Sequence, residues 1–432
     1  MKIYSFPRGG IIFNDPASPP KSAAVNAFLP AFSVIPLGDS KGKIYPVVSI
    51  GEVVREGMLI GRASGTGIAN VHSAIPGKVV RKVTWIDNNG SKNEALVIRM
   101  EGAFERLGKK EEVFSFAGLS GFDIQRLIAE HGIVEMENSG RPLSEMIVNA
   151  KKEEKLTMVI RCIFDDPWLV ADYALCMERL NAVIQGALLT AKACQIINEI
   201  IIAVSHPEKE LGQMLLLEAE KSDISSTLVL TSSRYPQRTQ RELEHTLRIY
   251  EKKENRNFGS FLILGPAVLA AAYDAVVHKK AVLERYVAVG GSAIKRPQIM
   301  KVRIGTRISE IIEQCGGFSE NPERIITGSP VSGKEVLYLD EPVDKTCYAI
   351  VAMSKSQARI QKSQNCINCG ECRAVCPVGL DPQNIYKRIK AQKIDNLKIT
   401  NCNGCGCCKL VCPSSLPLLE TIVEKADEVD CA

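Results

Sequence analysis

Two periodicities divide the apolar positions of this chain. Between Val34 and about Met100, short valine and isoleucine runs are broken by glycine, as in Pro46–Gly51, Gly57–Gly61 and Ile75–Val80. Such text predicts short strands joined by tight turns. From about Phe122 to Val277 the pattern changes. Solid apolar runs at Leu156–Ile163, Glu199–Val204 and Ser226–Thr231 read as buried strands, whereas Asp172–Ala193, Leu211–Glu220 and Gln240–Glu251 carry helical spacing. Strands alternating with helices imply an open parallel sheet covered by helices. A smaller unit follows, with strands at Tyr286–Val289 and Gln298–Val302, a helix over Ser309–Gln314 closed by Gly316 and Gly317, and a further extended run at Ile325–Pro330. The polar stretch Lys355–Lys362 reads as a helical linker, and helices are expected at Pro382–Gln392 and Glu420–Val429.

At 432 residues the chain is long enough for three or four domains. The pattern places their boundaries near 110, 284 and 345: a β-rich unit over 1–110, a Rossmann-like α/β unit over 111–284, a β-grasp unit over 285–345, and a linker with a cysteine-rich module over 346–432. The fold class is therefore multidomain α/β. A hydrophobic fraction of 45% with 24% charged residues is ordinary for a soluble globular protein. No apolar stretch reaches the roughly 18 to 20 residues that span a bilayer, so no direct membrane span is expected. A net charge of +5 with acids and bases interleaved lacks the concentrated basic face of a nucleic-acid protein. Cys162, Cys176, Cys194, Cys315, Cys347 and Cys431 are scattered, as packed thiols are in a reducing compartment.

The chemistry is concentrated near the end. Cys366, Cys369, Cys372 and Cys376, followed by Pro377, are answered by Cys402, Cys405, Cys408 and Cys412, followed by Pro413. Both runs follow the C-x2-C-x2-C-x3-C-P pattern of proteins that hold two [4Fe–4S] clusters. Two-residue gaps let the chain curl so that three sulfurs reach three irons of one cubane, while the amides between them face the sulfides. By the ferredoxin rule the fourth cysteine of each run serves the other cluster, so Cys366, Cys369 and Cys372 take Cys412, and Cys402, Cys405 and Cys408 take Cys376. Paired four-cysteine zinc sites have no use for a third and fourth cysteine at these spacings, and a disulfide framework suits small secreted domains. Cys407 breaks the two-residue spacing and is expected to be a non-ligand thiol. His72, His131, His206, His245 and His278 show no ligand spacing.

The β-rich unit resembles the barrel-sandwich hybrid of biotinyl and lipoyl carriers, but between Gly61 and Ala74 there is no lysine to carry a swinging arm, so the unit is expected to be structural. Across nearly its whole length the chain resembles the C subunit of the Rnf electron-transport complex, a relative of the flavin-bearing subunit of respiratory complex I. The resemblance rests on Phe6–Gly10, His72–Gly77, Tyr235–Gln237, Ala272–Val276, Gly290–Pro297 with Gly316–Phe318, Gly328–Gly333 and the paired cysteine runs. It implies a domain like that of the complex I flavin protein, an SLBB-like β-grasp domain and a C-terminal ferredoxin-like module. It also implies a peripheral subunit on the cytoplasmic side of the cell inner membrane, partnered by the other subunits of a redox-driven ion translocase. Exchange of electrons with NAD(H) through noncovalent FMN, or with a soluble carrier, belongs to the same resemblance.

One departure limits what carries over. Family members place a Gly-Gly-x-Gly-Phe-Pro-Thr loop followed by lysine where this chain has Gly132–Leu143, with Glu135, Glu137 and Asn138 in place of glycines. Bare backbone can approach a phosphate; side chains obstruct it and carboxylates repel it. The family's Asn-Ala-x-Glu-x-Glu-Pro signature is also replaced, by Arg161–Pro167, in which only Asp165, Asp166 and Pro167 keep its flavour. The expectation is a domain that keeps its shape and binds neither FMN nor NADH tightly. The alternative readings are an NADH-oxidising FMN dehydrogenase whose pocket is rebuilt by Arg141, Asp165 and Asp166, and a soluble iron–sulfur reductase adaptor.

Overall fold

The computed structural model describes residues 2–39, 42–86, 92–137, 139–195, 197–222, 224–358, 362–393 and 399–430. Asn138 and Cys431 lie outside them. The β-rich unit consists of two four-stranded sheets. One runs in the order Phe32–Pro36, Lys92–Met100, Gly77–Ile86, Val53–Val54, and the other in the order Gly38–Asp39, Gly42–Pro46, Leu59–Ser64, Val71–His72. Alternation sets the inner face: in Phe32–Pro36 the buried positions are Ser33 and Ile35. Gly61 gives Ile44 and Val71 of the neighbouring strands room to close over it: an added Cβ would stand 2.5 Å from Ile44 Cγ2 and 2.8 Å from Val71 Cγ2.

The α/β unit is a fully parallel five-stranded sheet in the order Ile3–Tyr4, Ser225–Thr231, Ile197–Ser205, Leu156–Cys162, Ser260–Leu264. Its strands are buried on both faces, which is why they read as solid apolar runs. Met158 and Ile160 enter one core with the helices Leu180–Cys194 and Pro266–Val277, while Val159 enters another with Leu243 and Leu247 of the helix Gln240–Lys253. Where the sequence suggested one helix over Asp172–Ala193, there are two, Val170–Glu178 and Leu180–Cys194. Arg179 leaves the helical region at φ −130° and ψ 35°, and its guanidinium makes a bidentate pair with Asp274 at 2.6 and 2.9 Å. A charge-assisted fork of this kind offsets the cost of breaking the helix.

The β-grasp unit is a six-stranded mixed sheet with the helix Ile308–Gln314 packed on it through Ile308, Ile311 and Ile312. The C-terminal module is built from short helices, Glu371–Ala374, Pro382–Lys390, Cys407–Leu410 and Leu418–Asp430. The first thirty residues, grouped by sequence with the β-rich unit, thread the others. Ile3–Tyr4 forms the edge of the α/β sheet, Val25–Asn26 pairs with Gln298–Arg303 of the β-grasp sheet, and Gly10 N–H donates to Val375 O in the cysteine module at 2.8 Å. Lys345 ties three units together at one point. Its ammonium donates to Asn70 O (2.8 Å) and Gly132 O (2.7 Å), and burial pushes its pKa down to about 8.

Candidate cluster sites and a closed crevice

Each cysteine run curls by the same device. Asn368 and Gly370 flank Cys369 at φ 59° and 81°, and Gly404 and Gly406 flank Cys405 at φ 68° and 74°. Two left-handed residues around the second cysteine turn the chain tightly enough for three thiols to face one point. Asn368 holds this conformation with its side chain, whose Oδ1 accepts from Gln383 Nε2 at 2.5 Å and Lys387 Nζ at 2.6 Å. The third cysteine of each run then sits in the first turn of a short helix, Glu371–Ala374 or Cys407–Leu410.

The runs cross. One cavity is lined by Cys366, Cys369 and Cys372 together with Cys412, and a second by Cys402, Cys405 and Cys408 together with Cys376. All eight cysteines named from spacing therefore line two cavities, each with three from one run and one from the other. Apolar Leu416 and Leu418 wall the first, and Leu419 and Ile422 the second. The donor set fits an iron–sulfur cluster in each cavity: four thiols converge on an apolar space, and backbone amides point at sulfur. Leu380 N–H lies 3.2 Å from Cys376 Sγ, and the Val378 and Gly379 amides also favour its thiolate, against the burial that raises its pKa. Cys407 lines the second cavity too, fully buried, with Sγ 4.0 Å from Tyr235 O.

The body of the protein reaches the second cavity through residues that spacing did not single out. Tyr235 Oη donates to Cys405 O at 2.8 Å. Gly9, at φ 63°, lies so close to the module that an added Cβ would stand 2.6 Å from Cys376 C and O. Both belong to motifs noted only for family resemblance, Phe6–Gly10 and Tyr235–Gln237; their role shows once the chain ends meet.

A parallel sheet also has a natural ligand crevice, at the carboxyl ends of its strands where the strand order reverses. Here that point lies between Leu156–Cys162, from which the next two strands proceed to one side, and Ser260–Leu264, on the other. The crevice is filled by the chain itself. Glu137 reaches into it, its carboxylate pairing with Arg161 Nη2 at 2.5 Å and closely with Arg238 Nη2. Gly265, between Ser260–Leu264 and the helix Pro266–Val277, makes room: a Cβ there would meet Glu137 Oε1 at 2.0 Å. Burial opposes the charge, yet Arg161 and Arg238 hold the Glu137 carboxyl down to about 2.

Glu135 closes the loop on itself. Its carboxylate accepts from the backbone N–H of Glu137 (2.9 Å) and of Ser139 (2.7 Å), so these amides are satisfied internally. Beneath them Arg285, 2% exposed, donates to Met136 O at 2.8 Å and faces Asp172 Oδ1 at 3.3 Å. Asp165 accepts from Arg238 N–H at 3.0 Å, and burial pushes its carboxyl up to about 7. Asp166, raised by burial, accepts from Trp168 N–H at 3.0 Å. Arg141 is exposed and joins the loop through its backbone, its carbonyl accepting from Glu135 N–H at 2.8 Å. These residues do not fit a flavin at this place. The sequence had marked Glu135 and Glu137 as repelling a phosphate; the structure adds that Glu137, with Glu135 at 3.9 Å from Arg161, already occupies the two guanidiniums that would attract one.

Elsewhere Glu111, Asp274 and His278 converge, but Lys280 pairs with Glu111 and Arg179 with Asp274, which makes the group an ion-pair network. His72 and His131 stack at 6.3 Å, and burial lowers the His72 pKa to about 3.

Comparison with known proteins follows the same division. Residues 6–103 match the RnfC barrel sandwich hybrid domain, 128–256 the Nuo51 FMN-binding domain, 286–335 the SLBB domain and 358–413 the 4Fe-4S dicluster domain. The C subunit of the Na(+)-translocating ferredoxin:NAD(+) oxidoreductase complex of Acetobacterium woodii is 26% identical over 348 residues, 79% of this chain and 77% of that protein. The C subunit of the ion-translocating oxidoreductase complex of Rhodobacter capsulatus is 26% identical over 372 residues, 85% of this chain and 71% of that protein. The C subunit of the proton-translocating ferredoxin:NAD(+) oxidoreductase complex of Clostridium ljungdahlii is 28% identical over 345 residues, 78% of this chain and 74% of that protein.

Proposed function

We propose that this chain, similar over about four fifths of its length to the C subunits of Rnf-type ion-translocating oxidoreductases, is an electron-transfer subunit of such a complex and works through two [4Fe–4S] clusters. The observation that carries the reading is the crossing of the cysteine runs, which puts Cys412 in the cavity of the first run and Cys376 in the cavity of the second. Cys366, Cys369, Cys372 and Cys412 would hold one cluster, and Cys402, Cys405, Cys408 and Cys376 the other. Bound clusters of this type supply one-electron carriers whose potentials are set by hydrogen bonds to sulfur and by solvent exposure. The chain's part is to supply thiolates, to aim amides such as Leu380 N–H at them, and to exclude water with Leu416, Leu418, Leu419 and Ile422.

The two cavities differ in access. Cys369 is exposed beside Ile367, which is 67% exposed, whereas Cys405 and Cys407 are buried against Tyr235. This asymmetry supports exchange of electrons with a partner at the first cavity. With the α/β crevice filled by Glu137, electrons enter at the clusters, from a soluble carrier or a neighbouring subunit. Among the described residues no helix is long and apolar enough to cross a membrane. The placement we propose is accordingly peripheral, on the cytoplasmic side of the inner membrane, held by the complex's other subunits.

The test is anaerobic purification with iron and sulfide analysis. About eight of each per chain are expected. Cys412→Ala should remove the cluster anchored by Cys366, Cys369 and Cys372, and about half the iron with it. Damage confined to the other cluster would overturn the assignment. Co-purification with integral subunits in mild detergent tests the placement; wholly soluble behaviour in cells that make those subunits would count against it.

A further inference from the structure

We propose that Arg161 and Arg238 form an anion site whose resident ligand is the chain's own Glu137 carboxylate, so that the Gly132–Leu143 loop is a built-in plug and removal of Glu137 uncovers a site for inorganic phosphate. Four observations converge on it. The carboxylate sits at the reversal point of a parallel sheet, where doubly wound folds bind ligands. Two guanidiniums grip it, both nearly buried, with side-chain exposures of 11% and 7%. It lies against Gly265, the residue capping the start of the twelve-residue helix Pro266–Val277, whose N-terminal end favours negative charge. The loop is pinned from below by Arg285 and closed by Glu135, so the plug is held in place from its own side.

These features are the parts of an oxyanion pocket, assembled around a side chain. Guanidinium forks match carboxylate and phosphate oxygens alike, because both present oxygens at hydrogen-bonding separation. Deleting Glu137 removes the carboxylate the two buried cations share and leaves Arg161 only the more distant Glu135 Oε1 at 3.9 Å, so a small oxyanion that enters restores the close pairing. The inference concerns the α/β crevice and is independent of the clusters, which lie in a different module.

The experiment compares anaerobically purified holoprotein carrying Glu137 with the variants Glu137→Gly and Glu137→Gln, in phosphate and in chloride at matched ionic strength and pH. Iron content shows separately whether the clusters are intact. The wild type gives the general stabilising effect of phosphate over chloride, the baseline from which each variant is read. Beyond that baseline Glu137→Gly, which leaves room for the ion, should melt about 5 °C higher in saturating phosphate than in chloride. Glu137→Gln, which keeps the bulk and loses the charge, should show a smaller rise. If Glu137→Gly fails to accumulate in chloride, its yield and iron loading in phosphate-supplemented buffer give the same reading. The absence of any phosphate effect beyond the wild-type baseline in both variants overturns the proposal, as does stoichiometric phosphate binding by the wild type.

Discussion

Asp165 offers the sharpest test of the buried network. Burial raises its carboxyl from 3.8 to about 7. Below about pH 4 the group is protonated whether the chain is folded or not; between there and pH 7 only the folded state keeps the proton. The stability this contributes is complete at the acid end, falls as pH rises through the window, and is gone above about 7. A shift of roughly 3 units at 1.36 kcal/mol each corresponds to about 4 kcal/mol. Asp165→Asn removes the titration and keeps an oxygen to accept Arg238 N–H, but it buries an amide NH2, which must donate, at the place of Asp165 Oδ1, which has no hydrogen-bond partner among the described residues. That costs about 2 kcal/mol. The variant should therefore gain about 2 kcal/mol at pH 8, or about 5 °C in apparent melting temperature for a unit of this size. Circular dichroism of anaerobic holoprotein between pH 5 and 9, at one scan rate, measures it. The slope should flatten without vanishing, because burial also raises Asp166 and Asp172. A variant that melts below wild type at pH 8, with an unchanged slope, would refute the argument.

Other outcomes follow from single contacts. Cys407→Ser should leave both clusters in place, read as unchanged iron and sulfide per chain, since the other eight cysteines complete both cavities. Gly9→Ala forces a Cβ against Cys376 at positive φ; at a cost of about 2 kcal/mol or more it should loosen the cysteine module and speed loss of iron on exposure to air. Gly186→Ala puts a Cβ 1.9 Å from Leu269 O where the helices Leu180–Cys194 and Pro266–Val277 touch. It should destabilise the α/β unit by about 3 kcal/mol, measured as an earlier melting transition.

The gathering of the eight cysteines around two cavities was legible because spacing within short runs survives into three dimensions. The parallel sheet was legible for a similar reason: strands buried on both faces leave solid apolar runs such as Leu156–Ile163. Contacts between distant residues left no such trace. Glu137 and Arg238 are 101 residues apart, and Tyr235 and Cys405 are 170 apart, so neither pairing has a pattern to read. The break at Arg179 was hidden because Asp172–Ala193 is helical in text on both sides of it, and the bond to Asp274 that favours the break is 95 residues away. The carboxylates of the Gly132–Leu143 loop showed that something was wrong for a phosphate. Their partners showed what had taken its place.

The threading of residues 3–10 through the molecule bears on how it is made. Ile3 and Tyr4 wait for Leu230 and Thr231, and Gly10 waits for Val375. At about 5 to 20 residues per second, a ribosome needs roughly 20 to 70 s to deliver that last partner. Until Leu230 and Thr231 emerge, Ile3 and Tyr4 have no strand to join, and for the rest of the interval Gly10 still lacks its acceptor in the cysteine module. Fastening of the segment is therefore stepwise: the sheet edge can close first, and the bond from Gly10 forms only after the first cysteine run has emerged.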